Sequence, residues 1–587
     1  MPKPDLMLLH APSVFKFREL PLFFGPVSDV VPSSSIFEIY PIGFLTMSDY
    51  LSRHGISVRI MNLALRMLRS RSFDAERCVR DMNASAFGID LHWLPHVDGS
   101  LSLAELVKKY HPDKPVILGG LSATYYHEEI MRDYPFVDFV LCGESTEEPL
   151  RMLMETIRAG SGYESVPNLV WRDGSRMVKN ERTFKPENLD YVDFDYSHLL
   201  KMAIKYRDPS GYIPFKYWLS YPVTAVFSVR GCIHNCGTCG GSISAFRTVC
   251  GRSHACFRSP ERVADDIQRI ADYTGAPVIV LGDLLQAGRE YTDRFLTAVK
   301  KHRIKNEICV EFFSPPPVEF LEKVADSIET FNVEISPESH DLNVRKTFGK
   351  NYDNAALEDM IRTLLRVGCR RIDLFFMVGL PNQTYRSVMD TVVYCGELLE
   401  KYGSNGGKGR VLPLLAPLAP FIDPGSVIFE DPGKYGYRFF YKTLKEHRQA
   451  MLKPSWKFAL NYETQWMTRD DIVRATYDGA LNLLAIKERY GVIGQQNASK
   501  IRDHLERAIK LSEKISNPEI VDEALRKEIF SLNTLDIVCG KHELDWPIKG
   551  WKLNVPNITK LLVSEVRRDI RSRNPFFSFK PRKSDVR

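Results

Sequence analysis

Between residues 221 and about 430 the chain alternates five short apolar runs with five amphipathic segments, from TAVFSV and SPERVADDIQRIADYTG through to RIDLFFMVGLP and SVMDTVVYCGELLEKYG. Such alternation predicts repeated βα units, hence a parallel barrel or part of one, with reactive groups at the carboxyl ends of the strands. Just past the first of these strands stand Cys232, Cys236 and Cys239, spaced Cys-x3-Cys-x2-Cys. Three thiolates can hold three irons of a 4Fe-4S cluster and leave the fourth open for a substrate-like ligand. A zinc knuckle asks for a fourth Cys or His at matching spacing; His234 lies inside the loop, but no second Cys-x2-Cys pair follows. Cys250 and Cys256 have no partner pair nearby and read as ordinary thiols rather than ligands of a second cluster.

The first 162 residues follow another strand and helix alternation. DLMLLHAPS, ISVRIMNLA, SAFGIDLHW, KPVILGG and VDFVLCGES read as five strands, with YPIGFLTMSDYLSRHG and LAELVKKYHP as helices between them. This order predicts a doubly wound, Rossmann-like parallel sheet with its ligand at the carboxyl ends of the strands. There, Gly119 and Gly120 would let a ligand approach the backbone where a side chain would block it. The stretch 163–215 reads as a linker containing a small hairpin that turns at Asp173 and Gly174.

These motifs together resemble the cobalamin-dependent radical S-adenosyl-L-methionine (SAM) enzymes over roughly the first 430 residues. In the wider cobalamin-binding group a Ser-x-Leu triplet after the third strand precedes a Gly-Gly by 26 to 28 residues. Here Asp90-Leu91-His92 takes the triplet's place, with 26 residues between His92 and Gly119, so the glycines match while the Ser and Leu do not. The Asp-x-His pair is not the cobalt-ligating Asp-x-His-x-x-Gly motif, which follows the first strand and ends in Gly where this chain has Pro95. GESTEEP at 143–149 resembles the segment that closes such a domain.

In the barrel the resemblance implies roles for further residues. Cys232, Cys236 and Cys239 would ligate the cluster and SAM would chelate its open iron. Gly282 and Asp283 would meet the SAM amino group, in place of a Gly-Gly-Glu, or Asp283 would simply cap the helix that follows its strand. Glu338 and Ser339, in a segment continued by a Lys-x-x-Gly-Lys stretch, would meet the ribose or methionine part, and Glu334 would face the barrel from the same strand. Gly379 and Pro381 would shape a turn against the adenine. Thr238 stands where an aromatic residue commonly packs near that ring. The reaction implied is reductive cleavage of SAM and methylation of an unactivated carbon, a methyltransferase activity. Relatives with the same two cofactors form rings or rearrange substrates without methyl transfer, and an iron-sulfur or cobalamin sensor stays open.

The bulk numbers agree with such an enzyme. At 587 residues the chain should hold three or four domains. These are taken as 1–162 for cobalamin, 163–215 as linker, 216–430 as the barrel and 431–587 as a helical cap with a basic tail. Apolar content of 44% with 26% charged residues is that of a globular protein. Eleven irregularly spaced cysteines and no secretory signal predict a reducing, cytoplasmic setting rather than a disulfide framework. No run reaches the roughly 18 apolar residues of a membrane span, and a net charge of +6 makes no case for nucleic acid. The basic, phenylalanine-containing tail reads as a solvated tail or as a contact with anionic lipid, and the aromatic 439–467 region as core or as pocket lining; both are compatible with a small hydrophobic or lipid substrate and peripheral membrane contact. A ferredoxin or flavodoxin would supply electrons.

Overall fold

The structure, a computed structural model, describes residues 2–31, 38–216, 218, 222–403, 409–418, 421–533 and 553–573. Strands β1 (Leu6–His10), β2 (Val58–Asn62), β3 (Ala86–Asp90), β4 (Val116–Gly119) and β5 (Phe139–Leu141) form a parallel sheet in the order 2-1-3-4-5. Their near-continuous burial explains the apolar runs, since helices cover both faces of such a sheet. The chain reverses its winding between β1 and β3, which opens a crevice above the ends of those two strands. His10 and Asp90 close the strands there.

The expected hairpin forms as β6 (Leu169–Asp173) and β7 (Arg176–Lys179), but it is not a free connector. β6 pairs antiparallel with β5 and extends the first sheet to seven strands.

A second sheet holds β8 (Thr224–Phe227), then β11 (Val278–Leu281), β12 (Ile308–Phe312), β13 (Phe331–Glu338), β14 (Arg371–Val378) and β15 (Val411–Pro417), all parallel and in chain order. Between the first two, β9 (Val229–Arg230) and β10 (Cys256–Phe257) make a short antiparallel ribbon. Six strands curved with helices outside are part of a barrel, left open between β8 and β15. Across its inner face Glu311, Glu334 and Asp373 stand in register on β12, β13 and β14.

The edge strand β15 is tied to the first domain. Asp29 N–H donates to Leu415 O at 2.8 Å, Leu415 N–H donates to Asp29 Oδ1 at 2.9 Å, and Asp29 Oδ2 accepts from Lys487 at 2.5 Å. Both charged side chains are fully buried.

The C-terminal region is helical, as the spacing predicts, but its placement differs from a cap. The helix Arg469–Arg489 lies beside the helix Tyr385–Gly403 and over β15, on the flank of the barrel. Gly479 allows that approach: a Cβ there would meet Leu415 Cδ2 at 2.5 Å. The aromatic residues Trp456, Tyr462 and Tyr477 are core. Residues 574–587, where the tail's phenylalanines and last basic residues fall, lie outside the described residues. Among the described residues no helix is long and apolar enough to cross a membrane.

Candidate active site

The cysteine loop leaves the carboxyl end of β8 through Gly231, whose φ of +83° suits the turn. It is clamped from two sides. Gly237 N–H donates to Phe348 O at 2.8 Å, while Ile428 N–H donates to Gly237 O at 3.1 Å and Gly240 N–H to Asp423 Oδ2 at 2.8 Å. Gly349, at φ +114°, lets the 346–350 stretch lie on the loop: a Cβ would come within 2.9 Å of Asn235 O and 3.3 Å of Cys236 Cα. Backbone N–H groups of His234 and Gly241 point at the sulfurs of Cys232 and Cys239, at 3.4 and 3.3 Å. Such bonds tune a cluster held by thiolates. The His234 ring packs edge-on against Phe313, centroids 5.8 Å apart. Burial pushes the Cys232 and Cys236 thiols up to about 11, so iron must displace their protons on binding. Cys250 and Cys256 are buried, as ordinary thiols should be.

Beside this loop the end of β13 is distorted. Its register with β14 shifts between Ile335 and Glu338, and Glu338 takes a φ of +67°. A non-glycine residue in that region costs of order 1–3 kcal/mol and persists where the surroundings enforce it. The bulge turns the Glu338 side chain into the cavity, where Oε1 pairs with Lys350 at 2.8 Å and Oε2 is buried without a partner. Lys350 also donates to Ser336 O at 2.5 Å. Burial raises the Glu338 carboxyl and Lys350 draws it back. An orphaned acceptor at this point suits the hydroxyls or ammonium of a polar ligand.

The other barrel candidates divide. Thr238 and Gly282 line the cavity with the cysteines. Asp283 does not: Oδ1 accepts from Leu285 N–H and Oδ2 from Phe313 N–H, both at 2.9 Å, so the carboxylate is spent on capping the turn that follows β11. Burial first of all pushes it up to about 6. Ser339 is also turned away, its hydroxyl accepting from Asp341 N–H at 3.1 Å. Gly379 and Pro381 shape a turn, but against the C-terminal region. A Cβ on Gly379 would meet Tyr462 Oη at 2.5 Å, and Tyr437 Oη donates to its carbonyl at 2.7 Å. Lys350 and Asp423 take places in the cavity that the motif reading left empty.

Across the cavity stand the ends of β3 and β4. A Cβ on Gly119 would find only Leu141 O, at 3.8 Å, so this backbone is open to a ligand. Gly120 lines the cavity as well, and the fold also demands glycine there: at φ +113° its Cβ would strike His92 Cα and N at 2.6 and 2.7 Å. Asp90 Oδ1 pairs with the buried His10 at 2.9 Å, and Oδ2 is buried without a partner. Burial pushes this carboxyl up, but His10 and then His96 hold it below its usual range. His92 lines the cavity edge-on to the exposed Trp93, and burial lowers its basicity, keeping the ring neutral near pH 7. Behind them an apolar slot lined by Leu8, Gly88, Ile117, Leu141 and Phe44 enters the first domain.

All of these surfaces line one cavity of about 1530 Å³. That exceeds the roughly 300–1,000 Å³ of a pocket for one small molecule. An open glycine backbone, a buried acceptor and an apolar slot suit a large ring with an appended tail. Three thiols, two of them under N–H groups, with an orphaned carboxylate nearby suit a cluster and a polar nucleoside.

Residues 29–151 match the model of the B12 binding domain and residues 226–395 that of the radical SAM superfamily. The chain therefore carries a B12-binding domain followed by a radical SAM domain, the pair that defines cobalamin-dependent radical SAM proteins. An uncharacterized methyltransferase of Pyrococcus horikoshii is 24% identical over 310 residues, 51% of this chain and 61% of that protein. The anaerobic magnesium-protoporphyrin IX monomethyl ester cyclase of Cereibacter sphaeroides is 22% identical over 300 residues, 48% of this chain and 44% of that protein. These matches span less than two thirds of either relative. In fold, the chain resembles the radical SAM methyltransferase TsrM of Kitasatospora setae (TM-score 0.52, 14% identity, 75% of this chain and 79% of TsrM). It also resembles the cobalamin-dependent SAM radical enzyme OxsB (TM-score 0.52, 11% identity, 97% of this chain and 80% of OxsB).

Proposed function

We propose that this protein is a cobalamin-dependent radical SAM methyltransferase that acts on an unactivated carbon of a small hydrophobic substrate. The observation that carries the reading is the single cavity bounded by the cysteine loop on one side and by the ends of β3 and β4 on the other. When bound, the cluster with SAM supplies hydrogen abstraction from carbon, and cobalamin supplies the methyl group. The chain's own part is to hold and orient. Cys232, Cys236 and Cys239 hold the cluster; Glu338, braced by Lys350, offers an acceptor to SAM; Gly282 and Thr238 shape the wall around it. Gly119, His92 and the Asp90 carboxylate form the platform for the corrin. The lobe lined by Leu199, Leu200, Trp218, Val223, Leu553 and Ile558 is apolar and supports a hydrophobic substrate. A ferredoxin or flavodoxin of a reducing cytosol would deliver the electrons.

A second reading, ring formation without methyl transfer, is favoured by the relative named as a cyclase. The test is anaerobic. The chain is reconstituted with iron, sulfide and hydroxocobalamin, stripped of unbound cofactor and given SAM with a strong reductant; deoxyadenosine and retained corrin are then measured against Cys236→Ala. Deoxyadenosine that disappears in the variant, with about one corrin per chain, is expected. Cleavage without retained corrin would sink the methyl-transfer mechanism. Corrin and cluster without cleavage, even in the presence of hydrophobic candidate substrates, would favour a sensor.

A further inference from the structure

The segment 143–147 leaves β5 beside Gly119 and lines the shared cavity through Gly143, Glu144 and Thr146. Its two acidic residues face the barrel rather than water. Glu147 is fully buried and receives a two-pronged bond from Arg230, Nη1 donating to Oε2 at 2.9 Å and Nη2 to Oε1 at 2.5 Å. Nη1 also reaches Ser145 Oγ at 3.1 Å, and Thr46 Oγ1 donates to Glu147 Oε1 at 2.7 Å. Glu144 pairs with Arg252 at 2.6 Å, the two side chains only 6% and 2% exposed.

The two arginines flank the cysteine loop. Arg230 lies two residues before Cys232 and itself lines the cavity, and Arg252 follows the helix Ile243–Cys250 that begins just after Cys239. Both are set in a stiff frame. Arg230 pairs with Cys256 in the ribbon of β9 and β10, whose far end is fixed by the bond from Arg258 N–H to Ser228 O at 2.9 Å. Arg252 N–H is anchored on Phe246 O at 3.2 Å.

Domain interfaces within a chain ordinarily allow relative motion. A buried ion pair is a poor way to add stability, because two charges must be stripped of water, but a forked guanidinium on a carboxylate fixes distance and angle. We propose that Arg230 and Arg252 are positioning residues that set the separation and orientation of the corrin platform relative to the cluster loop, through Glu147 and Glu144. Two cofactors that must act in turn on one carbon need a fixed gap, and the pairs supply it from both sides of the cysteines.

This inference rests on the two-cofactor reading above. The test uses the full chain reconstituted with iron, sulfide and hydroxocobalamin, then reduced until cluster and cob(II)alamin are both paramagnetic. Electron paramagnetic resonance reads the magnetic interaction between the two centres, and iron and corrin contents are measured alongside. Lysine keeps the charge but not the fork. Arg230→Lys is therefore expected to keep iron and corrin near wild-type levels while the interaction falls at least twofold and spreads over a wider range. Glu147→Gln, which removes the charge at constant shape, should do the same. An unchanged interaction in loaded variants would overturn the proposal. So would variants that lose corrin or become insoluble, because the pairs would then serve the fold rather than the gap. A wild-type chain that retains no corrin would instead sink the two-cofactor reading. The clamp would then be judged by hydrogen exchange, which should rise together at 143–147 and 230–242 in Arg230→Lys; exchange confined to one side would reject it.

Discussion

Replacing Lys350 with methionine should unsettle the active site in a way that depends on pH. Glu338 and Lys350 are 4% and 7% exposed and pair at 2.8 Å, and Glu338 Oε2 already has no partner. Methionine keeps the bulk of the lysine chain and removes its charge, so the carboxylate is left alone in a site that burial already disfavours for the charged form. Breaking one side of a buried pair costs about 3–5 kcal/mol. For a domain of about 200 residues, each kcal/mol moves Tm by roughly 2–4 °C. The unfolding step of the radical SAM domain should therefore fall by about 6–20 °C at pH 8, read by calorimetry. Without Lys350 the Glu338 carboxyl rises further, so it takes up a proton as pH falls. The folded-state pKa then lies above the unfolded one, and the penalty is largest at high pH and shrinks toward pH 5. Glu338→Gln combined with Lys350→Met should recover most of the loss at pH 8. A shift under 3 °C, a loss equal at pH 5 and pH 8, or a double variant no better than the single would refute the reasoning.

Glu334 faces the barrel interior between Asp373 and Glu311, and burial first, then those two carboxylates, push it up to about 8. Its ionisation penalty is absent below the unfolded pKa and grows as pH rises to 8, so Glu334→Gln should gain stability on wild type between pH 5 and 9, by up to about 4 kcal/mol; a difference that does not vary with pH contradicts this. Gly349→Ala forces a side chain into a left-handed backbone, about 1–2 kcal/mol of strain, and against Asn235 and Cys236. It should lower retained iron and sulfide while corrin binding stays intact, and equal loss of both would point to general unfolding. Lys487→Met leaves the Asp29 carboxylate buried without its counter-charge, at about 3–5 kcal/mol. Proteolysis should then cut earlier near the ends of β15, and an unchanged cleavage pattern would show that the latch carries no load.

What was legible in the sequence is what is local. The cysteine loop could be read because its ligands lie within eight residues of one another, and the strand and helix alternation could be read from period alone. β15 escaped notice because Pro413 and Pro417 interrupt VLPLLAP; the structure tolerates them because this strand forms the open edge of the sheet. Lys350 belongs to a stretch that could be read as a motif, yet its role comes from a bulge in β13 that no periodicity announces. Asp283, Ser339, Gly379 and Pro381 pose the converse difficulty. Each sits at a strand end where ligands commonly bind, and each is engaged by its own chain: Asp283 by two backbone N–H groups, Ser339 by Asp341, and the turn of Gly379 and Pro381 by Tyr437 and Tyr462. Position along a strand is visible in a sequence, whereas competition for a side chain by distant backbone is not.

The altered triplet after β3 shows how such a departure can be absorbed. An aspartate in place of a small hydroxyl brings a charge into the sheet, and a lone buried carboxylate there would be costly. His10, at the end of the adjacent strand β1, supplies a hydrogen-bond partner at 2.9 Å, so one carboxylate oxygen is satisfied within the sheet and the other stays directed at no protein group. The substitution thus exchanges a weak acceptor for a strong one in the same crevice. Gly119 remains open beside it, and the pairing of Asp90 with Gly119 across β3 and β4 puts the acceptor level with the exposed backbone. Loss of the Ser therefore argues for a changed set of hydrogen bonds under the ring, not for a crevice that has closed.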